Sequence, residues 1–169
     1  MPVPPELVAL CQREHHRLIG LLGLLVGDRH LAEELAQEAL IRACRDWGKV
    51  QHLDHPGAWL HRVAVNLAMS SHRRRRAEQR MLRRLHGRDR NSVHDPDAAA
   101  AETIRRALQR LPMELRTVIV LRFYADGSVP DTAAALGIPE GTVKTRTRRA
   151  LAVLRAGGLI ETTEVTDAP

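Results

Sequence analysis

Apolar positions along this chain recur at helical spacing, and nowhere in the strict alternation of a half-buried strand. After Pro4-Pro5, Leu7, Leu18, Leu22 and Leu25 mark one side of a helix predicted to run to about Val26. Gly27-Asp28 breaks it, and Asp28 suits the N-cap of a second helix reaching about Trp47. Leu31, Leu35, Ala39 and Ala43 form the stripe of that helix. Residues Gly48 to His55 read as a loop. Pro56 fits the first turn of a third long helix, whose face continues through Leu60, Val63, Leu67 and Ser71.

Around Ser70 the apolar pattern gives way to Arg73, Arg74, Arg75 and Arg76, and arginines continue to Arg90 with only Glu78 and Asp89 opposing them. The run GRDRNSVHDPDA is rich in turn formers and reads as a flexible linker. A second helical block starts near Asp97, with Ile104, Leu108 and Leu111 on one face. Pro112 restarts a helix carrying Leu115, Val118, Ile119 and Phe123, two short helices come after it, and the tail after Gly157-Gly158 is expected to fray. The pattern predicts an all-α protein of two small helical domains, 5–84 and 99–156, joined by a linker at 85–98 and ending in a tail at 157–169.

Composition narrows the function. A length of 169 residues and only 2% aromatics favour thin helical cores built from Leu, Val, Ile and Ala. A formal charge of +6 points to a polyanionic partner, nucleic acid before an acidic membrane surface. Lysine occurs only at Lys49 and Lys144, so arginine carries nearly all of the positive charge, and its guanidinium grips phosphate and guanine in bidentate fashion. Two cysteines, Cys11 and Cys44, make no disulfide framework. The start has no basic n-region, and Leu18 to Val26 is too short to span a bilayer, so a cytoplasmic protein without membrane attachment is expected. Histidines and Cys11 offer no Cys2His2-like ligand set, and no phosphate-binding loop or nucleophile elbow is present, so neither a metal, a cofactor nor an enzyme is expected.

The most informative stretch is Ser128 to Leu154. Ser128 and Asp131 have capping-box spacing, Gly137 can take a positive φ, and Pro139 sets the next helix to begin near Glu140. A short helix, a glycine turn and a longer basic helix make a helix-turn-helix, with Ala133, Ala134 and Leu136 expected inward on its first helix. On the second, Val143, Thr147, Ala150, Leu151 and Leu154 face inward, and Gly141, Lys144, Thr145, Arg148 and Arg149 face outward for a major groove. A different chemistry sits at Glu33, Glu34, Gln37 and Glu38, a compact acidic cluster that DNA would repel and a basic protein surface would attract.

GIPEGTVKTRTRRALAVLR resembles region 4.2 of extracytoplasmic-function (ECF) sigma factors, and LQRLPMELRTVIVLRFYADGSV resembles region 4.1. GDRHLAEELAQEALIRACRDW is similar to region 2.2, and HPGAWLHRVAVNLAMSSHRRRR to regions 2.3 and 2.4. The resemblance is to the SigE-like subgroup of the sigma-70 family and covers about Leu18–Arg76 and Ile104–Arg155. It implies a subunit that directs RNA polymerase to promoters, with Glu33, Glu34, Gln37 and Glu38 on the β′ clamp and region 4.1 touching the β flap. It implies that the outward face at Gly141, Lys144, Thr145, Arg148 and Arg149 reads the −35 element. Asn66, with the loop Gly48 to Gly57, would take an extruded −10 base, or Asn66 is a surface amide; Arg73–Arg76 would grip phosphates, or form a flexible basic linker. Trp47 and Trp59 read as core anchors. An anti-sigma factor is a further partner the family leaves open. Region 2.3 lacks the aromatic cluster of primary sigma factors, Thr147 stands where an apolar residue is usual, and Pro130 is uncommon early in the first helix of the motif. The alternatives are a helix-turn-helix regulator acting without polymerase, and an RNA-binding scaffold that leaves the acidic cluster unexplained.

Overall fold

The structure, a computed structural model, describes residues 3–85 and 99–158. Among them every regular element is helical: α1 (Pro5–Val26), α2 (Arg29–Arg45), α3 (Trp47–Val50), α4 (Pro56–Leu85), α5 (Ala99–Arg110), α6 (Met113–Ile119), α7 (Val129–Leu136) and α8 (Glu140–Ala156). The linker expected at 85–98 falls, apart from Leu85, outside the described residues, as does the tail beyond Gly158.

Turn chemistry sets the first hairpin. Gly27 closes α1 in the left-handed region at φ 73°, and the Asp28 carboxylate accepts from the Leu31 N–H to open α2. The buried ridge of α2 is Ala32, Ala36, Ala39 and Ala43, with Leu31 at its edge and Leu35 only half buried. Leu31, Ala39 and Ala43 of the expected stripe are thus buried and Leu35 packs against the core, with Ala32 and Ala36 added, small residues that let α1 and α4 approach closely. The hairpin brings Cys11 beside Cys44, and burial together with that neighbouring thiol pushes the Cys11 pKa up; both are free. The expected loop at Gly48–His55 begins instead as the short helix α3.

Other segments add to or depart from the sequence pattern. Helix α4 runs through the arginine run to Leu85, since arginine is a good helix former even where no apolar face continues. After Ile119 the chain widens into a π-helical turn, Val120–Tyr124, closed by the Ala125 N–H donating to the Val120 carbonyl at 3.1 Å. The wider turn shifts the helical phase within it, so Phe123, unlike Val118 and Ile119 before it, is 49% exposed. Ile104 is likewise exposed while Leu108 and Leu111 are buried, and in α7 Ala133 is buried but Ala134 is not.

One apolar cluster spans both helical units. It joins Leu18, Leu21, Leu22 and Leu25 of α1 to residues of α2 and α4, and also to Leu108, Leu111, Ile119, Val120 and Leu154 of the second unit. A satellite cluster of Leu7, Leu10, Trp47 and Val50 packs against Trp59, so Trp47 is the core anchor expected, although its indole N–H has no partner among the described residues.

Candidate functional site

The helix-turn-helix is built from its turns. The Ser128 hydroxyl accepts from the Asp131 N–H at 3.1 Å, and the Asp131 carboxylate accepts from the Ser128 N–H at 3.2 Å, a complete capping box with Pro130 in the first turn. Hydrogen bonds from the Ser128 side chain and backbone hold the Asp131 carboxyl below its ordinary range. Gly137 ends α7 in the left-handed region at φ 64°, and the Ile138 N–H returns to the Ala133 carbonyl at 3.1 Å. Val143 of α8 is buried with Val118 and Ala133, which fixes the angle between the two helices.

With Val143, Ala150 and Leu154 inward, Gly141, Lys144, Thr145, Arg148 and Arg149 all stand exposed on α8. None of the three cations pairs with a carboxylate among the described residues. The Thr145 hydroxyl donates to the Gly141 carbonyl at 2.9 Å. Half-buried Thr147, the polar interruption, donates to the Val143 carbonyl at 2.9 Å and so costs the interior no unpaired hydroxyl.

The acidic cluster lies along one side of α2, and every carboxylate has a base one turn away. Arg29 Nε meets Glu33 Oε1 at 3.1 Å, His30 Nε2 meets Glu34 Oε1 at 3.4 Å, and Arg42 Nε meets Glu38 Oε1 at 2.8 Å, with Gln37 exposed between them.

On α4 the four consecutive arginines point about 100° apart and cannot form one clamp. Arg75 turns to Asp28 at 3.6 Å, and Arg73 donates to Ser70 Oγ at 3.1 Å. Helical spacing places Arg62, Asn66, Arg73 and Arg80 along one exposed stripe, with Arg76 at its side and Arg74 well round from it. Arg62 and Arg80 escaped the sequence reading, although the 3.6-residue period applied to charges would have found them. Buried Glu14 ties this helix to α1, accepting from His61 Nε2 at 3.1 Å and from Arg13 Nε at 2.9 Å. Burial alone would raise the Glu14 carboxyl, but Arg13 and His61 outweigh it and hold the group below its usual range.

Between α5 and the end of α8 lies a groove of about 250 Å³, with Ala107, Val153 and Leu154 in its lining and Arg106 and Arg110 beside them. Among the described residues no group of His, Cys, Asp or Glu is placed to hold a metal, and no helix is long and apolar enough to cross a membrane.

Comparison with known proteins agrees with this layout. The family models Sigma-70 region 2 and Sigma-70, region 4 match residues 10–78 and 101–154. The ECF RNA polymerase sigma factor SigM of Mycobacterium tuberculosis is 37% identical over 145 residues, covering 84% of this chain and 72% of the relative. RNA polymerase sigma-E factor of Streptomyces coelicolor is 34% identical over 131 residues, covering 78% and 73%. The sigma factor RpoE of Bartonella quintana, solved in complex with the anti-sigma factor NepR, has the same fold, with a TM-score of 0.73 at 23% identity over 86% of this chain and 92% of that one. Two matched sigma-70 regions in order, and relatives of this identity matched over most of their length, decide the family: the chain is an ECF sigma factor, a subunit that binds core RNA polymerase and promoter DNA and directs transcription initiation.

Proposed function

We propose a division of labour in which residues 5–84 bind core polymerase and take the −10 element, while residues 99–156 read the −35 element. The observation that carries it is the opposite chemistry of two exposed helix faces, acidic on α2 and, on α8, basic with no carboxylate partner among the described residues. Glu33, Glu34, Gln37 and Glu38 meet the β′ clamp, exchanging weak intrahelical partners for cations of the polymerase. Gly141, Lys144, Thr145, Arg148 and Arg149 enter the major groove, where Gly141, with nothing within 4 Å of a Cβ position, lets backbone approach DNA closely and the Thr145 methyl can meet a thymine methyl. Asn66 offers both donor and acceptor to an extruded −10 base, and Arg73 and Arg76 of the run, with Arg62 and Arg80, track the phosphates beside it. The α5–α8 groove, apolar with a basic rim, suits the β flap. The chain catalyses no reaction of its own and works in the cytoplasm with the polymerase. The anti-sigma factor named with the RpoE relative suggests the same class of partner here.

Site-specific photo-crosslinking in the assembled holoenzyme on promoter DNA tests this. A crosslinker at position 37 is expected to label β′, one at 145 the −35 duplex, and one at 66 the −10 strand. Labelling of DNA from 37, or of β′ alone from 145, would reverse the assignment.

A further inference from the structure

We propose that this compact arrangement is a closed state that cannot engage both elements of a promoter at once, held by a latch in which Arg105, Gln109 and Arg116 cap the carboxyl end of α1. The inference rests on the reading of α4 and α8 as the −10 and −35 surfaces.

A helix ends with carbonyls that lack intrahelical partners and with a negative dipole end. At the end of α1 those carbonyls are capped by side chains of the second unit. Gln109 Nε2 donates to the Leu24 carbonyl at 2.9 Å, Arg116 Nη1 to the Leu25 carbonyl at 2.5 Å, and Arg105 Nη1 to the Gly27 carbonyl at 2.7 Å. Arg116 is 6% exposed and has no carboxylate partner among the described residues. Its Nη1 also donates to Gln109 Oε1 at 2.6 Å, and its remaining donors go to the Leu108, Gln109 and Leu111 carbonyls at the end of α5, at 2.8, 2.9 and 3.0 Å. One guanidinium thus caps two helix ends at once, one from each unit, and the two dipole ends together stand in for a counter-ion. Burial pushes its pKa down to about 10, so it stays charged at neutral pH.

Glycines on α1 make room for the second unit. A Cβ at Gly20 would overlap the Tyr124 hydroxyl, and one at Gly27 would lie 2.6 Å from the Gln109 side-chain carbon. The shared cluster of leucines from α1, α5 and α6 closes the remainder of the seam.

Closure conflicts with promoter geometry. Elements about 25 base pairs apart are about 85 Å apart along B-form DNA. A compact chain of this length measures about 40 Å across. The two reading surfaces cannot reach both elements until the α1 seam parts. Only the open fraction binds productively, so the latch lowers the apparent affinity for promoter and for any polymerase conformation that holds the domains apart.

The test uses the full chain and two independent lesions. Gly20→Leu places a wedge against Tyr124 at a position where leucine favours the helix, and Arg105→Ala/Gln109→Ala removes two caps while leaving Arg116 in place. Small-angle scattering should give the wild type a radius of gyration of about 16 Å, and both variants a clearly larger one at unchanged helix content. Both should bind core polymerase about tenfold more tightly, because less of the chain must be opened. An extended wild type, or opened variants with wild-type affinity for core, would overturn the latch. Binding of the free chain to a −35 duplex should be equal in all three, since the α8 face is already exposed when closed. A wild type that fails on that duplex counts against the reading of α8 and is distinguishable from failure of the latch.

Discussion

The acidic face of α2 and the basic face of α8 are both exposed helix surfaces, yet their charges are managed in opposite ways. On α2 each carboxylate lies beside a basic side chain of the same helix, a guanidinium for Glu33 and Glu38 and an imidazole for Glu34, so much of its charge is met locally in the free protein. On α8 the cations Lys144, Arg148 and Arg149 have no carboxylate partner among the described residues. The difference suits two kinds of partner. A protein surface supplies a few placed cations that replace local partners at a cost of a few tenths of a kcal/mol each. DNA supplies a dense anionic lattice, and an unpaired guanidinium is free to choose between a base edge and a phosphate. The α8 face should therefore depend steeply on salt, and the α2 face much less.

Charge reversal at the acidic face should have the largest effect. Glu34→Arg/Glu38→Arg is expected to abolish co-purification with core polymerase while the circular dichroism spectrum stays near wild type. Retained co-purification would remove the contrast between the faces. Next comes base reading. Arg149→Ala should cost about 1–3 kcal/mol for holoenzyme on a cognate −35 duplex and much less on a scrambled one. Equal losses on both would make Arg149 a phosphate clamp and move the reading face elsewhere on α8.

The α4 stripe should behave as pure phosphate contact. Arg73→Ala and Arg80→Ala should each weaken all DNA alike and reduce the salt slope by about one counterion. Arg74→Ala, turned away from Asn66, should change it less, and equality of the three would mean that the run acts without regard to helix face. The smallest expected effect is on domain closure. Burial, the facing Arg116 and neighbouring Arg76 hold His72 below the ordinary imidazole range, and Glu114 offsets this only in part. A depressed pKa means that the closed form binds fewer protons than the open one, so closure is favoured above about pH 6.5 and weakens as the pH falls through it. Scattering between pH 8 and 5.5 should show a modest expansion that His72→Gln removes.

Much of this was legible in the chain. Gly27-Asp28, Ser128 with Asp131, and Gly137 announced their turns because capping is local chemistry written in adjacent residues. The α8 faces came from the 3.6-residue period, with Val143, Ala150 and Leu154 buried as expected. The features that escaped depended on partners distant in sequence. Arg116 reads as an ordinary surface arginine, and its role rests on backbone carbonyls such as that of Leu25, which leave no mark in residue type. Phe123 was grouped with Leu115, Val118 and Ile119 on one helix because nothing in the residue types marks the segment where the chain widens into a π turn. Arg73 to Arg76 looked like one patch because adjacency in sequence was taken for adjacency in space, which a helix denies.

Selection from a randomised DNA library, with core polymerase and the chain together and each alone, tests the central claim most directly. The holoenzyme should enrich two sequence blocks separated by the −35 to −10 spacing, with the upstream block lost in Arg149→Ala and both lost in Glu34→Arg/Glu38→Arg. Enrichment of both blocks at that spacing by the chain without core polymerase, or by the charge-reversed variant with it, would contradict the account.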